Sequence, residues 1–154
     1  MKRVNFLVIA LMIISANLSG QNANPFFTEW KTPFGVPPFD QIRNEHYLPA
    51  FKKAMEEHNH EIARIVSNSD PATFENTILA LDLSGSMLEK VSVVFYGLNS
   101  AHTNKEMQEI ARELSPLTTR HADDINLNPA LFERVRAVYK QKESLKLDSD
   151  QLRL

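Results

Sequence analysis

The residue types best suited to catalysis cluster at positions 58–64, where the sequence reads His58-Asn-His60-Glu61-Ile-Ala-Arg64. A zinc-binding helix of the HExxH type needs two imidazoles one turn apart on one face, with a glutamate between them that activates the bound water. Arg64 stands where the second imidazole should be, and a guanidinium has no lone pair for a metal. His58 and His60 point about 200° apart around a helix, so they cannot chelate one ion locally. We therefore predict solvated residues near a helix end here, and no metal site.

The other titratable candidates are isolated in the sequence. His46, His102 and His121 have no neighbouring nucleophile, and we interpret each as a hydrogen-bonded structural residue. Asp123 and Asp124 precede a predicted helix start, where the helix dipole favours acids, so capping or solvation accounts for them better than acid–base catalysis. The chain also has no glycine-rich phosphate loop and no Gly-x-Ser-x-Gly sequence. We assign no catalytic, cofactor-binding or metal-ligating residue to this chain.

The composition limits the classes of protein to which the chain can belong. Its 154 residues, 43% of them hydrophobic, are enough for one domain with a sizeable core. The formal charge is −2, and it is −4 without the first twenty residues, which contain Lys2 and Arg3 but no acid. Such a charge gives no electrostatic basis for binding nucleic acid. The absence of cysteine excludes disulfides, thiolate chemistry and a lipid-modified cysteine anchor.

The first twenty residues have the parts of a secretory signal peptide. Lys2 and Arg3 precede an apolar run at residues 6–14, and small and polar residues follow up to Gly20. The run is too short to span a bilayer, which takes about twenty residues. We therefore predict a signal peptide at residues 1–20, cleaved between positions 19 and 23, an exported periplasmic protein and no stable membrane anchor. The alternative is a buried N-terminal helix.

Residues 21–43 combine prolines with aromatic side chains. The prolines oppose a regular helix and the aromatic side chains oppose disorder, so we predict an extended arm that packs on its own protein. The alternative is a proline-rich ligand for a groove of another protein. The residues concerned are Pro25, Phe26, Phe27, Trp30, Pro33, Phe34, Pro37, Pro38 and Phe39.

Apolar residues at helical spacing predict an all-α region at residues 44–154. A first helix is expected to start at Asn44 or Leu48 and to end near Ser67.

The longest apolar stripe, residues 74–104, predicts one long helix, with Asp70 as its N-cap and Pro71 in the first helical position. Gly85 interrupts this helix at a cost of up to about 1 kcal/mol relative to alanine. A bend or a close helix crossing would account for that glycine.

Start signals for two further helices follow. Thr103 and Glu106 have the spacing of a capping box, which predicts a third helix from about Asn104, and Pro116 should kink or shorten it. Asn128-Pro129 predicts the start of a fourth helix.

The last residues resemble the beginning of another helix. Asp148 has the character of an N-cap, and the amphipathic residues 149–154 make barely more than one turn. So short a helix is not stable by itself. We therefore interpret the chain as a truncated N-terminal piece of a longer protein.

Several short segments of the sequence, taken in order, resemble the N-terminal part of bacterial peptidyl-dipeptidases, which are also called dipeptidyl carboxypeptidases. These enzymes are thimet-oligopeptidase-like zinc metallopeptidases. The resemblance runs from about Asn24 to Leu154, and its Ser-Ala-His-Thr sequence favours the peptidyl-dipeptidase branch over the oligopeptidases. The segments are Pro38-Phe-Asp-Gln-Ile42, Glu45-His-Tyr-Leu-Pro-Ala50, Phe74-Glu-Asn-Thr-Ile78, Leu98-Asn-Ser-Ala-His-Thr-Asn104, Glu113-Leu-Ser-Pro116 and Leu127-Asn-Pro-Ala-Leu-Phe132.

The resemblance implies an all-α enzyme several times longer than this chain. Two lobes of such an enzyme enclose a deep channel, and the N-terminal helices form a lid or roof that admits short peptides. Its zinc ligands, two histidines of an HExxH helix and a downstream glutamate, lie in the C-terminal part, and none corresponds to a residue here. The implied partners are oligopeptide substrates and the missing C-terminal catalytic part. Zinc is implied for the full-length protein, and this chain alone is expected to bind none and to be inactive.

A different class of function is also compatible with the sequence. The chain could be a free-standing exported helical module that binds peptides or a partner without catalysis.

Overall fold

Helix α1, Asn44–Val66, lies at the centre of the fold. The structure, a computed structural model, describes residues 24–154, and every regular element in that range is helical. Helices α2 (Ser86–Ala101), α3 (Lys105–Asn126) and α4 (Pro129–Tyr139) all pack against α1. The predicted all-α class is confirmed. The predicted signal peptide at residues 1–20 and the start of the arm at 21–23 lie outside the described residues.

The main apolar core lies between α1, α2 and α3. Tyr47 and Phe51 of α1 meet Phe95 of α2 edge to face, with ring centroids 4.9 Å and 5.7 Å apart. Leu114 of α3 is fully buried in the same cluster. Burying a large apolar side chain contributes about 1.5–3 kcal/mol, so these contacts fix how α2 and α3 sit on α1.

A smaller apolar cluster joins the C-terminal half of α1 to α4. Ile62 and Ile65 of α1 are buried there with Leu131 of α4, and Ala80 and Leu81 pack against them. The chain between α1 and α2 is thereby held over the end of α1.

The aromatic arm packs on its own chain over residues 24–43. Phe26, in the 3₁₀ turn Pro25–Phe27, is only 2% exposed. Its ring lies between Trp30 and Tyr47, with centroid distances of 6.0 Å and 5.6 Å. Asn24 donates a 2.8 Å hydrogen bond to the backbone carbonyl of His46. These contacts anchor the arm to the first turn of α1.

The prediction of one long helix over residues 74–104 is wrong. A π-helical segment, Phe74–Leu79, continues into the α-helical turn Ala80–Asp82, and α2 begins only at Ser86. Gly85, the residue before α2, has a φ of +72°. A left-handed residue cannot continue a right-handed helix, so the apolar stripe is divided at this point. We call residues 83–85 the break.

The cap predicted at Asp70-Pro71 is also wrong. The helical segment begins after Thr73, whose Oγ1 accepts a 3.2 Å hydrogen bond from the Asn76 backbone. The Asn76 side chain in turn accepts a 2.8 Å bond from the Thr73 backbone. This reciprocal pair satisfies two N–H groups at once, which a cap at Asp70 would leave without partners.

Helix α3 begins one residue later than the predicted Thr103 cap. Asn104 Oδ1 accepts the backbone N–H of Met107 at 2.9 Å, whereas Thr103 donates to the Asn99 side chain at 2.8 Å. Asparagine is at least as good an N-cap as threonine. The helix then continues through Pro116 to Asn126, so the proline does not shorten it.

The start of α4 is as predicted. Asn128 Oδ1 accepts the backbone N–H groups of Ala130 and Leu131 at 3.0 Å and 3.1 Å. Near the end of the chain, Asp148 Oδ1 accepts from the backbone of Gln151 at 2.9 Å, and a 3₁₀ turn, Gln151–Arg153, follows. Within residues 24–154, none of the helices combines the length and the apolar character needed to cross a bilayer.

Candidate functional site

A polar cluster lies where α1, α3 and the break meet. His58 Nδ1 of α1 is 3.0 Å from His121 Nε2 of α3, and His58 Nε2 is 3.1 Å from Ser84 Oγ in the break. The two imidazole rings are tilted by 59°, with centroids 5.0 Å apart. We call His58, Ser84 and His121 the histidine cluster. It joins three elements through one side chain, that of His58.

The break brings Ser84 to His58 because Gly85 fits closely under the imidazole. A Cβ on Gly85 would lie 2.9 Å from both Cε1 and Nδ1 of His58, closer than real Cβ contacts allow. Glu61 Oε2, one turn after His58 on α1, accepts the Gly85 backbone N–H at 2.7 Å. Both contacts hold the break against α1.

The hydrogen bonds of the cluster have one consistent direction. Ser84 Oγ lies 2.6 Å from the Leu81 carbonyl, which can only accept, so the hydroxyl proton goes there. His58 must then donate from Nε2 to Ser84 Oγ, which leaves a lone pair on His58 Nδ1. His121 therefore donates from Nε2 to that lone pair. His58 is neutral in this arrangement, and each hydrogen bond of the cluster has one donor and one acceptor.

The surroundings also favour neutral imidazoles. Burial lowers the pKa of His58, and the nearby Glu61 carboxylate opposes that shift only in part. Burial likewise lowers the pKa of His121, and the neighbouring His58 lowers it further, against the opposing charge of Asp124. Both shifts have the sign expected for imidazoles removed from water.

The arrangement does not make Ser84 a nucleophile. A serine is activated when its hydroxyl donates to a histidine that accepts the proton. Here the hydroxyl donates to the Leu81 carbonyl and the imidazole donates to the serine. The cluster is thus a structural network between helices.

The same donor set does not fit zinc. A structural or catalytic zinc takes at least three protein ligands. The two imidazoles are bonded to each other, Glu61 accepts from Gly85, and within residues 24–154 no three metal-ligating side chains converge. No metal-dependent step can be assigned to these residues.

An apolar pocket of about 390 Å³ adjoins the cluster. Its polar lining residues are His58, Ser84, Asn126 and Asn128, and Leu81 together with side chains from the end of α3 and from α4 forms its apolar wall. The residues that line it are His58, Leu81, Ser84, Ile125, Asn126, Asn128, Leu131, Phe132 and Val135.

Comparison with known proteins identifies the family. The chain is 46% identical over 131 residues to dipeptidyl carboxypeptidase of Escherichia coli (strain K12), a match that covers 85% of this chain and 19% of that protein. It is 41% identical over 133 residues to dipeptidyl carboxypeptidase of Salmonella typhimurium, which covers 86% of this chain and 20% of that protein. The chain belongs to the dipeptidyl carboxypeptidase family.

A more distant relative fits the same assignment. Oligopeptidase A of Escherichia coli (strain K12) is 29% identical over 105 residues, or 68% of this chain and 15% of that protein. No family model matches the chain. The chain spans about a fifth of the length of the dipeptidyl carboxypeptidases it matches. The resemblance found in the sequence to this family is confirmed.

In this member of the dipeptidyl carboxypeptidase family, the residues of the half-complete zinc motif face in different directions. His60 and Arg64 are exposed, and Arg64 lies 4.0 Å from the Glu61 carboxylate. His58 is half-buried in the interior of α1, so its predicted place as a solvated residue near a helix end is wrong.

The remaining candidate residues have structural or solvent positions. His46 is 8% exposed, and its Nδ1 accepts the backbone N–H of Arg43 at 3.0 Å, as expected of a structural histidine. His102 is exposed just after α2. Asp123 and Asp124 are exposed in the last turn of α3, at the C-terminal end of a helix and not at the start of the next, which corrects their predicted position.

The pairing of His58 with His121 was missed because 63 residues separate them. One signal for it is present in the sequence. His121 follows the buried residues Met107 and Leu114 at intervals of seven, so it continues their stripe on α3. A histidine that continues a buried stripe needs a hydrogen-bond partner.

Proposed function

We propose that this chain forms the N-terminal helical part of an exported, zinc-dependent peptidyl-dipeptidase, which removes C-terminal dipeptides from oligopeptides. The observation that carries the proposal is the 46% identity to a dipeptidyl carboxypeptidase over 85% of the chain. Oligopeptides are accordingly the proposed substrates of the longer protein.

The role proposed for these residues is to roof the substrate channel. The outer surface supports this role, because it carries large apolar side chains that a longer protein could cover. Leu127 is 77% exposed, Val93 67%, Tyr139 65% and Phe132 60%. Contiguous exposed apolar surface marks protein contact sites, so the proposal requires that the longer protein cover these side chains.

The zinc is proposed to lie in the C-terminal part of the longer protein. Arg64 supports this placement, since it occupies the position that a second histidine of an HExxH helix would take. The 154-residue chain alone is therefore expected to release no dipeptide, even with added zinc.

Continuing the reading frame past Leu154 is the simplest test of the proposed function. An HExxH sequence within the next several hundred residues, with a downstream glutamate, is the expected result. A frame that continues for that length without one would overturn the proposal.

Export needs a separate test because it rests on residues 1–20. Cell fractionation with N-terminal sequencing should find a periplasmic protein that starts between positions 20 and 24. A cytoplasmic protein that retains Lys2 and Arg3 would refute the proposed export and leave the peptidase assignment intact.

A free-standing binding module is the second candidate, because residues 24–154 contain a core of their own. Phe51 and Phe95 are fully buried in it. Cooperative unfolding of the chain together with measurable affinity for oligopeptides would favour this candidate. A molten chain without peptide affinity would count against it.

A further inference from the structure

The histidine cluster bonds the break to α1 and, through the same imidazole, α3 to α1. His58 Nε2 bonds to Ser84 in the break, and His58 Nδ1 bonds to His121 on α3. The adjoining residue, Gly85, packs under the His58 ring and donates to Glu61. The position of the break on α1 therefore depends on the orientation of one imidazole.

The number of protons on the two imidazoles decides whether the His58–His121 bond can exist. The neutral pair carries two N–H protons, both on Nε2 atoms, and the bond is intact. A third proton can enter on His121 Nδ1 and leave His121 Nε2–H···Nδ1 of His58 unchanged. A fourth proton must enter on His58 Nδ1, where its N–H would face the N–H of His121 across the 3.0 Å separation. Two donors without an acceptor repel each other.

We propose that the histidine cluster is an acid-sensitive clasp, which joins both the break and α3 to α1 through His58 and opens when both imidazoles are protonated. The clasp does not depend on the proposed peptidase function, because it requires only contacts within residues 24–154 and neither zinc nor a substrate. Protonated His58 still donates from Nε2 to Ser84, so the bond between α1 and α3 is the one lost first. Displacement of the His58 ring by that repulsion would then loosen Ser84 and Gly85, which contact the same ring, and the part of the adjoining pocket that His58 and Ser84 line.

Charged groups near the two imidazoles oppose the lowering of their pKa by burial but do not reverse it. On α1, Glu61 favours protonation of His58, and on α3, Asp124 favours protonation of His121. On its other side, His121 borders a groove that also contains Lys52, Glu56, His60 and Arg120. The pocket lining contributed by the break and by α4 has no charged side chain. Two carboxylates thus oppose a desolvation effect that still favours the neutral pair.

The direction of the pH effect follows from the lowered pKa of both histidines. In the unfolded chain a histidine titrates near 6.5, and in the fold it resists protonation to a lower pH. The unfolded state therefore binds more protons in this window, and acid favours it. The stabilisation from the clasp is complete above about pH 6.5 and is lost as the pH falls through the folded pKa values. The two protons should enter in two coupled steps.

Nitrogen NMR of the imidazoles in the unmodified chain tests the proton arrangement directly. At neutral pH, His58 and His121 should both carry their proton on Nε2, and acid titration should show two steps that affect both rings. A proton on His58 Nδ1 at neutral pH, or independent titration of the two rings, would overturn the clasp.

Hydrogen exchange of the Gly85 amide tests whether the break opens. After correction for the intrinsic pH dependence of exchange, acid should weaken protection at Gly85. For each unit by which folding lowers the pKa of a histidine, its protonation should raise the equilibrium constant for opening about tenfold. Unchanged protection at Gly85 after both rings are protonated would contradict the proposal.

Two glutamine variants separate the clasp from a general effect of acid. His121→Gln retains an N–H donor for His58 but cannot titrate, so the acid response at Gly85 should be largely lost. His60→Gln removes an exposed histidine two residues from His58 and should keep the wild-type response. If His121→Gln responds to acid as the wild-type chain does, the proposal is wrong. If this variant does not fold, the NMR titration of the unmodified chain decides.

Discussion

Gly85 lies so close to His58 that a Cβ on the glycine would come within 2.9 Å of two atoms of the imidazole ring. The same residue has a φ of +72°, a conformation that side chains other than glycine rarely adopt. Two independent constraints therefore require glycine here. They explain why an apolar stripe with the length of one helix is folded as two.

Gly85→Ala should destabilise the fold. The left-handed conformation alone costs a non-glycine residue about 1–2 kcal/mol, and displacement of the His58 ring adds to that cost. Gly97→Ala is the matched control, since Gly97 is exposed in α2 and no atom outside its helix backbone lies within 4 Å of its added Cβ. It should stabilise the chain by up to about 1 kcal/mol. Denaturant unfolding measures both, and equal effects of the two substitutions would contradict this explanation of the break.

The sequence predicts an interruption at Gly85, but it does not show which structure the interruption produces. Helical periodicity shows only where apolar residues recur, and they recur on both sides of Gly85 within residues 74–104. The close partner of Gly85, His58, lies 27 positions earlier and becomes visible only in the packed fold. The π-helical segment Phe74–Leu79 was not predicted either, because six residues are too few to distinguish its period from that of an α-helix.

Arg134 on α4 holds the loop before the π-helical segment. Its guanidinium donates to the backbone carbonyls of Asn68 and Asp70 at 2.8 Å and 3.3 Å, and to the Asn76 side chain at 3.0 Å. Loss of these bonds leaves acceptors unpaired, so Arg134→Gln should lower the free energy of unfolding by about 1–3 kcal/mol.

Arg136→Gln is the control for Arg134→Gln, because it removes the same charge from the same helix. Arg136 forms an exposed ion pair with Glu133 at 3.1 Å. Exposed pairs contribute about 1 kcal/mol or less. If thermal or denaturant unfolding showed Arg136→Gln to be the more damaging change, the structural role assigned to Arg134 would be incorrect.

Two phenylalanines of the arm should differ sharply in their effect on stability. Phe26 is 2% exposed between Trp30 and Tyr47, so Phe26→Ala should cost about 3–5 kcal/mol. Phe34 is 103% exposed, and Phe34→Ala should change the stability by about 0.5 kcal/mol or less. Unfolding experiments on the two variants provide the comparison, and similar losses would show that the arm does not pack as described.

Helix caps show where local sequence reasoning succeeds and where it does not. Asn128-Pro129 was predicted and found, because an N-cap asparagine followed by proline has one favourable placement. At the start of α3 two candidates, Thr103 and Asn104, stand side by side, and the spacing of Thr103 to Glu106 suggested the wrong one. Glu106 is engaged elsewhere, since it accepts a 2.7 Å hydrogen bond from the Asn44 side chain of α1. That competing contact joins residues 62 positions apart.

Short segments of the sequence are enough to recognise the family, whereas they do not predict the histidine cluster. Segments such as Phe74-Glu-Asn-Thr-Ile78 are local, and the dipeptidyl carboxypeptidase of Escherichia coli shares 46% of its residues with the chain over the matched region. The His58–His121 bond depends on how α3 crosses α1, which no local pattern specifies.

Dipeptide release tests the proposed function most directly. The complete gene product and the 154-residue chain should be assayed on the same oligopeptide, with added zinc and then with a chelator. We predict that the complete product releases C-terminal dipeptides until the chelator is added, and that the 154-residue chain releases none under either condition. Zinc-dependent, chelator-sensitive release of dipeptides by the purified 154-residue chain would contradict the placement of the catalytic site outside these residues.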